Sequence, residues 1–171
     1  MNKNNKIYIE RRLNLVEMLK NKSYFLFGPR QTGKTSLIKN TLGKCRSYNL
    51  LDNDVFLSLS TNMKRLEQEL TPEDEIIVID EVQKLPQLLD EVHLLIEKYN
   101  VRFLLTGSSS RRLRHGGVNL LGGRARSRTL HPFTYQELGK GFELLKALRF
   151  GLIPSVYFSD APLEDLKAYA G

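Results

Sequence analysis

The chain predicts an α/β fold, a three-layer α/β/α arrangement around a central, mainly parallel sheet. Three observations carry that expectation. Short apolar strand-like runs alternate with helix-like segments from Tyr24 to Leu130, and this alternation places helices on both faces of a parallel sheet. Ile76-Ile77-Val78-Ile79 is β-branched throughout, the pattern of a strand buried on both faces. Gly28-Pro29-Arg30-Gln31-Thr32-Gly33-Lys34-Thr35 fits G-x-x-x-x-G-K-[ST] between a strand-like and a helix-like run, the setting in which such a loop cradles phosphate.

In chain order, Tyr8 to Lys20 reads as a helix, with Ile9, Leu13, Val16 and Leu19 or Lys20 along one side. Ser23-Tyr24-Phe25-Leu26-Phe27 reads as a buried strand. Ser36 to Leu42 is a helix with Leu37, Ile38 and Leu42 on one face and Gly43 as its stop. Arg46 to Asp52 is a second strand that ends in a turn at Asp52-Asn53-Asp54. Asn53 to Leu70 holds one or two short helices, and Thr71 to Glu75 is a polar connection. After the Ile76–Ile79 strand, Pro86 to Lys98 is a helix with proline in its first turn and Leu88, Leu89, Val92, Leu95 and Ile96 on one stripe. Val101 to Thr106 is another strand. Ser108-Ser109-Ser110 caps a basic turn or helix at Arg111 to Arg114. A glycine-rich loop at Val118 to Arg124 leads to a last strand at Ala125 to Leu130. Thr134-x-x-Glu137 is a capping box. Glu143 to Phe150 is a helix closed by Gly151, and Leu163 to Tyr169 begins another.

With 171 residues and a 41% hydrophobic fraction, the chain suits one domain with a real core. Its apolar runs are too short to span a bilayer, and the polar start Met1-Asn2-Lys3-Asn4-Asn5-Lys6 lacks the apolar stretch of a secretory signal. Cys45 stands alone, which excludes an internal disulfide and suits a reducing, cytoplasmic compartment. The net charge of +7 is segregated: Leu66 to Glu97 holds ten acidic residues and one basic one, and Val101 to His131 holds seven arginines and no carboxylate. An Arg-rich surface of this kind suits nucleic acid, phosphate groups, the acidic face of a neighbouring subunit, or solvent.

The phosphate loop assigns its own chemistry. Gly28 and Gly33 let the backbone curl so that its N–H groups, through Ser36, point at phosphate oxygens. Lys34 supplies a point charge for β- and γ-phosphates, Thr35 offers a hydroxyl to Mg²⁺, and Arg30 lies beside phosphate or in solvent. Ile76 to Ile79 delivers Asp80 and Glu81 to a sheet edge, the Walker B form. There Asp80 holds Mg²⁺ and Glu81 polarises a water for attack on the γ-phosphorus. Thr106 and Ser108, at the end of the next strand, are candidates for holding that water or the γ-phosphate. Arg124, after Gly122-Gly123, is the first choice for an arginine that reaches phosphate in cis or across a subunit boundary, followed by Arg111 and Arg112. His93, His115 and His131 have no metal-ligand spacing.

Together, Gly28 to Thr35, Ile79-Asp80-Glu81-Val82-Gln83-Lys84-Leu85-Pro86, Leu105-Thr106-Gly107-Ser108-Ser109, Leu121-Gly122-Gly123-Arg124-Ala125 and His131-Pro132-Phe133-Thr134-Tyr135-Gln136-Glu137-Leu138 resemble a group of prokaryotic AAA-type ATPases, from about Ile7 to Tyr157. The resemblance implies a P-loop NTPase core, with a sensor strand between the strands that carry the phosphate loop and Asp80. Thr106 or Ser108 then inherits the sensor role and Glu81 that of the catalytic base. It implies an AAA-type domain over 1–157 and, at 158–171, the start of a missing or truncated C-terminal region of nuclease-like or DNA-related function. The chain departs from the family in lacking an evident helical lid with a second sensor arginine.

The function expected is Mg²⁺-dependent ATP binding and hydrolysis. The rival is a nucleotide-dependent switch with little turnover that docks DNA or a protein partner through the Arg111–Arg128 region, with oligomerisation open. Phosphoryl transfer to a small acceptor is disfavoured, because Asp80-Glu81 suits water activation better than acceptor binding.

Overall fold

The computed structural model describes residues 8–108, 113 and 121–171. Its strands are β1 (Ser23–Phe27), β2 (Arg46–Asn49), β3 (Ile76–Asp80), β4 (Arg102–Gly107) and β5 (Ala125–Thr129). Among the described residues they form one sheet in the order β2-β3-β4-β1-β5, and every pairing in it is parallel. The carboxyl ends of β1, β3 and β4 therefore share one edge. The phosphate loop leaves β1 there, Asp80 and Glu81 leave β3, and Thr106 to Ser108 leave β4. β4, the strand expected to carry the sensor, lies between β3 and β1, the order that the resemblance implies.

Alternation along the strands builds two cores. Phe25, Phe27, Ile77, Ile79, Phe103 and Leu105 face one side. They are covered by α3 (Asn53–Thr61), α4 (Arg65–Gln68) and α5 (Leu88–Tyr99), through Leu59, Leu66, Leu88, Leu89, Val92 and Leu95. Tyr24, Leu26, Val78 and Leu104 face the other side. They meet Leu15 and Leu19 of α1 (Leu15–Leu19) and Leu37 and Ile38 of α2 (Lys34–Thr41). After β5 come α6 (Tyr135–Leu138), α7 (Leu144–Phe150), α8 (Pro154–Tyr157) and α9 (Pro162–Ala170). A third cluster joins Phe133, Leu138 and Tyr157 with Ile9, Phe142 and Leu152.

Four readings change. The helix expected from Tyr8 to Lys20 shrinks to Leu15–Leu19, capped by Asn14 Oδ1, which accepts from Glu17 N at 3.0 Å. Ile9 belongs to the third cluster and Leu15 to the sheet, so no single helix face serves both. The second strand ends at Asn49 rather than Asp52, and Asp52 both closes a turn, donating from N to Asn49 O at 3.0 Å, and caps α3, its Oδ1 accepting from Asp54 N at 2.9 Å. The helix expected at Pro86 starts at Leu88, because Val82–Lys84 forms a 3₁₀ turn ahead of it, and it closes on Asn100 in the left-handed region. The loop before Arg124 ends in a tight turn in which Leu121, Gly122 and Gly123 all have positive φ. The capping box at Thr134 and Glu137 is present in full. Ser109, Ser110, Arg111, Arg112 and Arg114 lie outside the described residues.

Candidate nucleotide site

The loop is shaped by its neighbours as much as by its own residues. Gly28 has φ 154°, and a Cβ there would lie 2.3 Å from the Leu130 carbonyl. Leu130 N in turn donates to Phe27 O at 2.8 Å. Any side chain at Gly28 would push the last strand from the first. Gln31 has φ 62° and Gly33 φ 90°, so the chain reverses twice before α2 begins. Thr32 is fully buried, and its hydroxyl donates to Pro29 O at 2.9 Å. Pro29, Arg30, Gln31, Thr35 and Ser36 are exposed.

Lys34, only 7% exposed, folds into the loop and donates to the carbonyls of Gly28 at 2.7 Å and Pro29 at 3.0 Å. Burial pushes its ammonium below its ordinary range, partly offset by the nearby Glu81 and Asp80 carboxylates. A buried cation at a helix start suits a polyanion.

One hydrogen-bonded chain connects the remaining groups. Thr35 Oγ1 donates to Asp80 Oδ2 at 3.3 Å. Thr106, fully buried, donates through its hydroxyl to Asp80 Oδ1 and accepts from Glu81 N at 3.2 Å. Glu81 has φ 60°, so the backbone turns sharply after Asp80. Gln83 Nε2 donates to Glu81 Oε2 and lies 3.5 Å from Ser108 Oγ. The structure thus brings together Gly28 to Ser36, Asp80, Glu81, Thr106 and Ser108. The Thr35 hydroxyl and the Asp80 carboxylate converge as two hard oxygen donors. That small donor set fits Mg²⁺, which keeps several waters and takes its other ligands from phosphate.

Arg124 is not brought to this edge. Ala125 pairs with Ser23 at the amino end of β1, and four residues of strand separate Ser23 from the loop side, about 13 Å. Its Nε donates to Glu97 instead. The sequence reading also missed a group. Arg11, 8% exposed, donates from Nη1 to Thr32 O at 2.8 Å and from Nη2 to His131 O at 2.6 Å. Its Nε pairs with Glu137 Oε1 at 3.0 Å, with side chains 4% and 5% exposed. Its guanidinium lies 4.7 Å from the Phe133 ring centre. Ser155 Oγ donates to Gln31 Oε1 from the other side. The capping box already located Glu137, but nothing local marked its second partner.

A family model described as an AAA domain matches residues 20–139, more than half of the 171 residues. The chain belongs to this family of P-loop ATPases. No curated protein matches it. Among solved structures, one of Pif1 helicases on forked double-stranded DNA is 16% identical, covering 90% of this chain and 49% of that one, with a TM-score of 0.46. Domain III of the replication initiator DnaA from Thermotoga maritima is 13% identical, covering 88% and 74%, at 0.43. DnaA bound to AMPPCP and single-stranded DNA is 16% identical, covering 94% and 61%, at 0.48. The chain thus spans about half the length of the Pif1 chain it matches.

Proposed function

We propose that the chain binds ATP with Mg²⁺ and hydrolyses it. The observation that carries this is the hydrogen-bonded chain Thr35–Asp80–Thr106–Glu81 beside the buried Lys34. The backbone N–H groups between Arg30 and Ser36 and the Lys34 ammonium hold the β- and γ-phosphates, with Gly28 and Pro29 shaping the turn that aims them. Thr35 and Asp80 hold the metal. Mg²⁺, when bound, draws charge from the phosphate oxygens. Glu81 takes a proton from water as the water oxygen bonds to the γ-phosphorus and ADP leaves. Thr106 fixes Asp80 and Glu81 relative to each other, and Ser108 faces the γ-phosphate or the water. Arg124 has no part in its own chain's site and would act only across a subunit boundary. A reducing, cytoplasmic setting fits the single Cys45. No helix of the described residues is long and apolar enough to cross a membrane.

The test is a titration of fluorescent ATP with and without Mg²⁺. The parent protein should bind more tightly with the metal, and Lys34→Ala should weaken binding at least about 100-fold, the loss of roughly 3 kcal/mol of charge-assisted contact. A Lys34→Ala protein that binds like the parent overturns the site assignment.

A second reading rests on Arg126 and Arg128, exposed on the edge strand β5 and lining a groove with Lys22, Asn21 and Met18. It is nucleotide-dependent docking of DNA. Binding of labelled DNA should weaken steeply with salt, and Arg126→Ala/Arg128→Ala should reduce that slope by about 2. An unchanged slope removes these arginines from any DNA contact.

A further inference from the structure

Gln83 holds one oxygen that the arrangement above does not use. It lies in the 3₁₀ turn directly after Asp80 and Glu81. Its Nε2 donates to Glu81 Oε2. Its Oε1 is shut off from solvent and accepts no hydrogen bond among the described residues. Turning the amide over would set this oxygen against the Glu81 carboxylate, so the orientation of the amide is fixed. A Cβ at Gly107 would lie 2.4 Å from the oxygen, and Gly107 pairs in register with Phe27, the residue before the phosphate loop. The oxygen sits at the strand ends that border the loop, on the same side chain that anchors the Glu81 carboxylate.

We propose that Gln83 is a positioning residue of the site, an inference that rests on the ATPase reading. Its amide N–H fixes Glu81 Oε2, and the enclosed seat of its Oε1 against Gly107 holds the amide in that orientation. Glu81 Oε1 is then the oxygen left to take a hydrogen of the attacking water. In the step, the water oxygen–phosphorus bond forms and the bond from phosphorus to the bridging oxygen breaks, with its electron pair leaving on ADP. The hydrogen held by Glu81 passes to the carboxylate. The other hydrogen stays on the oxygen and leaves with the phosphate product. Gly107 keeps this geometry open, since a side chain there would occupy the place of Oε1.

The experiment compares steady-state ATP turnover and fluorescent-ATP binding in the parent, Glu81→Gln, Gln83→Leu, Gln83→Glu and Gly107→Ala proteins. Gln83→Leu should lower kcat about tenfold or more with KM within about twofold. Gln83→Glu keeps the length of the side chain but replaces the donor facing Glu81 with an acceptor, so turnover should fall at least as far as in Gln83→Leu. A packing role alone would be restored by this change of equal size. Gly107→Ala keeps an ordinary backbone, clashes with the flexible end of Gln83 and meets Phe27 at an ordinary 3.6 Å, so it should fold and lose turnover as Gln83→Leu does. If the parent turns over ATP, Glu81→Gln abolishes it, and Gln83→Leu or Gln83→Glu matches the parent, the inference fails alone. A parent without ATP turnover overturns the ATPase reading and this inference with it.

Discussion

A Glu81→Gln protein will bind ATP as tightly as the parent and hydrolyse it at least about 100-fold more slowly, the usual worth of a positioned general base. The substitution preserves shape and hydrogen-bonding reach but removes the group that accepts the proton. It also leaves the backbone untouched. Glu81 N still donates to Thr106 Oγ1, and the left-handed backbone at residue 81 is no harder for glutamine than for glutamate. Single-turnover hydrolysis beside equilibrium binding separates the two effects. Turnover equal to the parent's removes Glu81 from the chemistry, and a matching loss of binding makes its role structural.

Arg11→Met will cost the fold about 3–5 kcal/mol, the range for breaking a buried ion pair from one side. Three groups lose a partner at once: the Glu137 carboxylate, 5% exposed, the Thr32 carbonyl inside the phosphate loop and the His131 carbonyl. Burial by itself would raise the Glu137 pKa. The backbone N–H groups of Arg12 and Thr134 and the Arg11 guanidinium more than offset it, and the carboxyl is held below its ordinary value. The folded pKa is thus the lower one. The contribution is complete above the unfolded value of about 4.3 and is lost as pH falls through the folded one. Denaturant unfolding near neutrality should show the full Arg11→Met loss. The double variant Arg11→Met/Glu137→Gln should recover part of it, and Glu137→Gln should flatten the acid limb of stability. An Arg11→Met protein within about 1 kcal/mol of the parent would remove the clasp from the account of stability.

The parts of this molecule that were legible in sequence are those set by local physics. Ile76 to Ile79 had to be a strand buried on both faces, and Val78 and Ile79 duly divide between the two cores. Gly28 and Gly33 mark the loop by supplying positive φ angles, and Thr134 with Glu137 carries its own cap. What stayed hidden depends on residues far apart in the chain. The spacing of Ile9, Leu13 and Val16 imitates a helix, yet Ile9 packs with Phe133 and Tyr157 while Leu15 packs under the sheet. Arg124 follows a flexible glycine pair, but the parallel register of β5 on β1 decides which sheet end it occupies. Arg11 is separated from Thr32 by 21 residues and from Glu137 by 126, and no local pattern announces a contact of that span. Gln83 was in view, inside the string that carries the family resemblance, but its unpaired oxygen exists only once β4 stands beside the turn.

The Arg11 and Ser155 contacts also bear on where the unit of folding divides. The family match runs from residue 20 to residue 139 and includes every group assigned to phosphate, metal and water. Yet the loop is gripped from outside those limits on both sides, by Arg11 at Thr32 and by Ser155 at Gln31. Leu15 and Leu19, which cover one sheet face, precede the match as well. A piece of chain trimmed to the matched span would keep the complete chemical inventory and lose the frame that gives it shape. In this molecule the smallest stretch that spells the motif is shorter than the smallest stretch that holds it still.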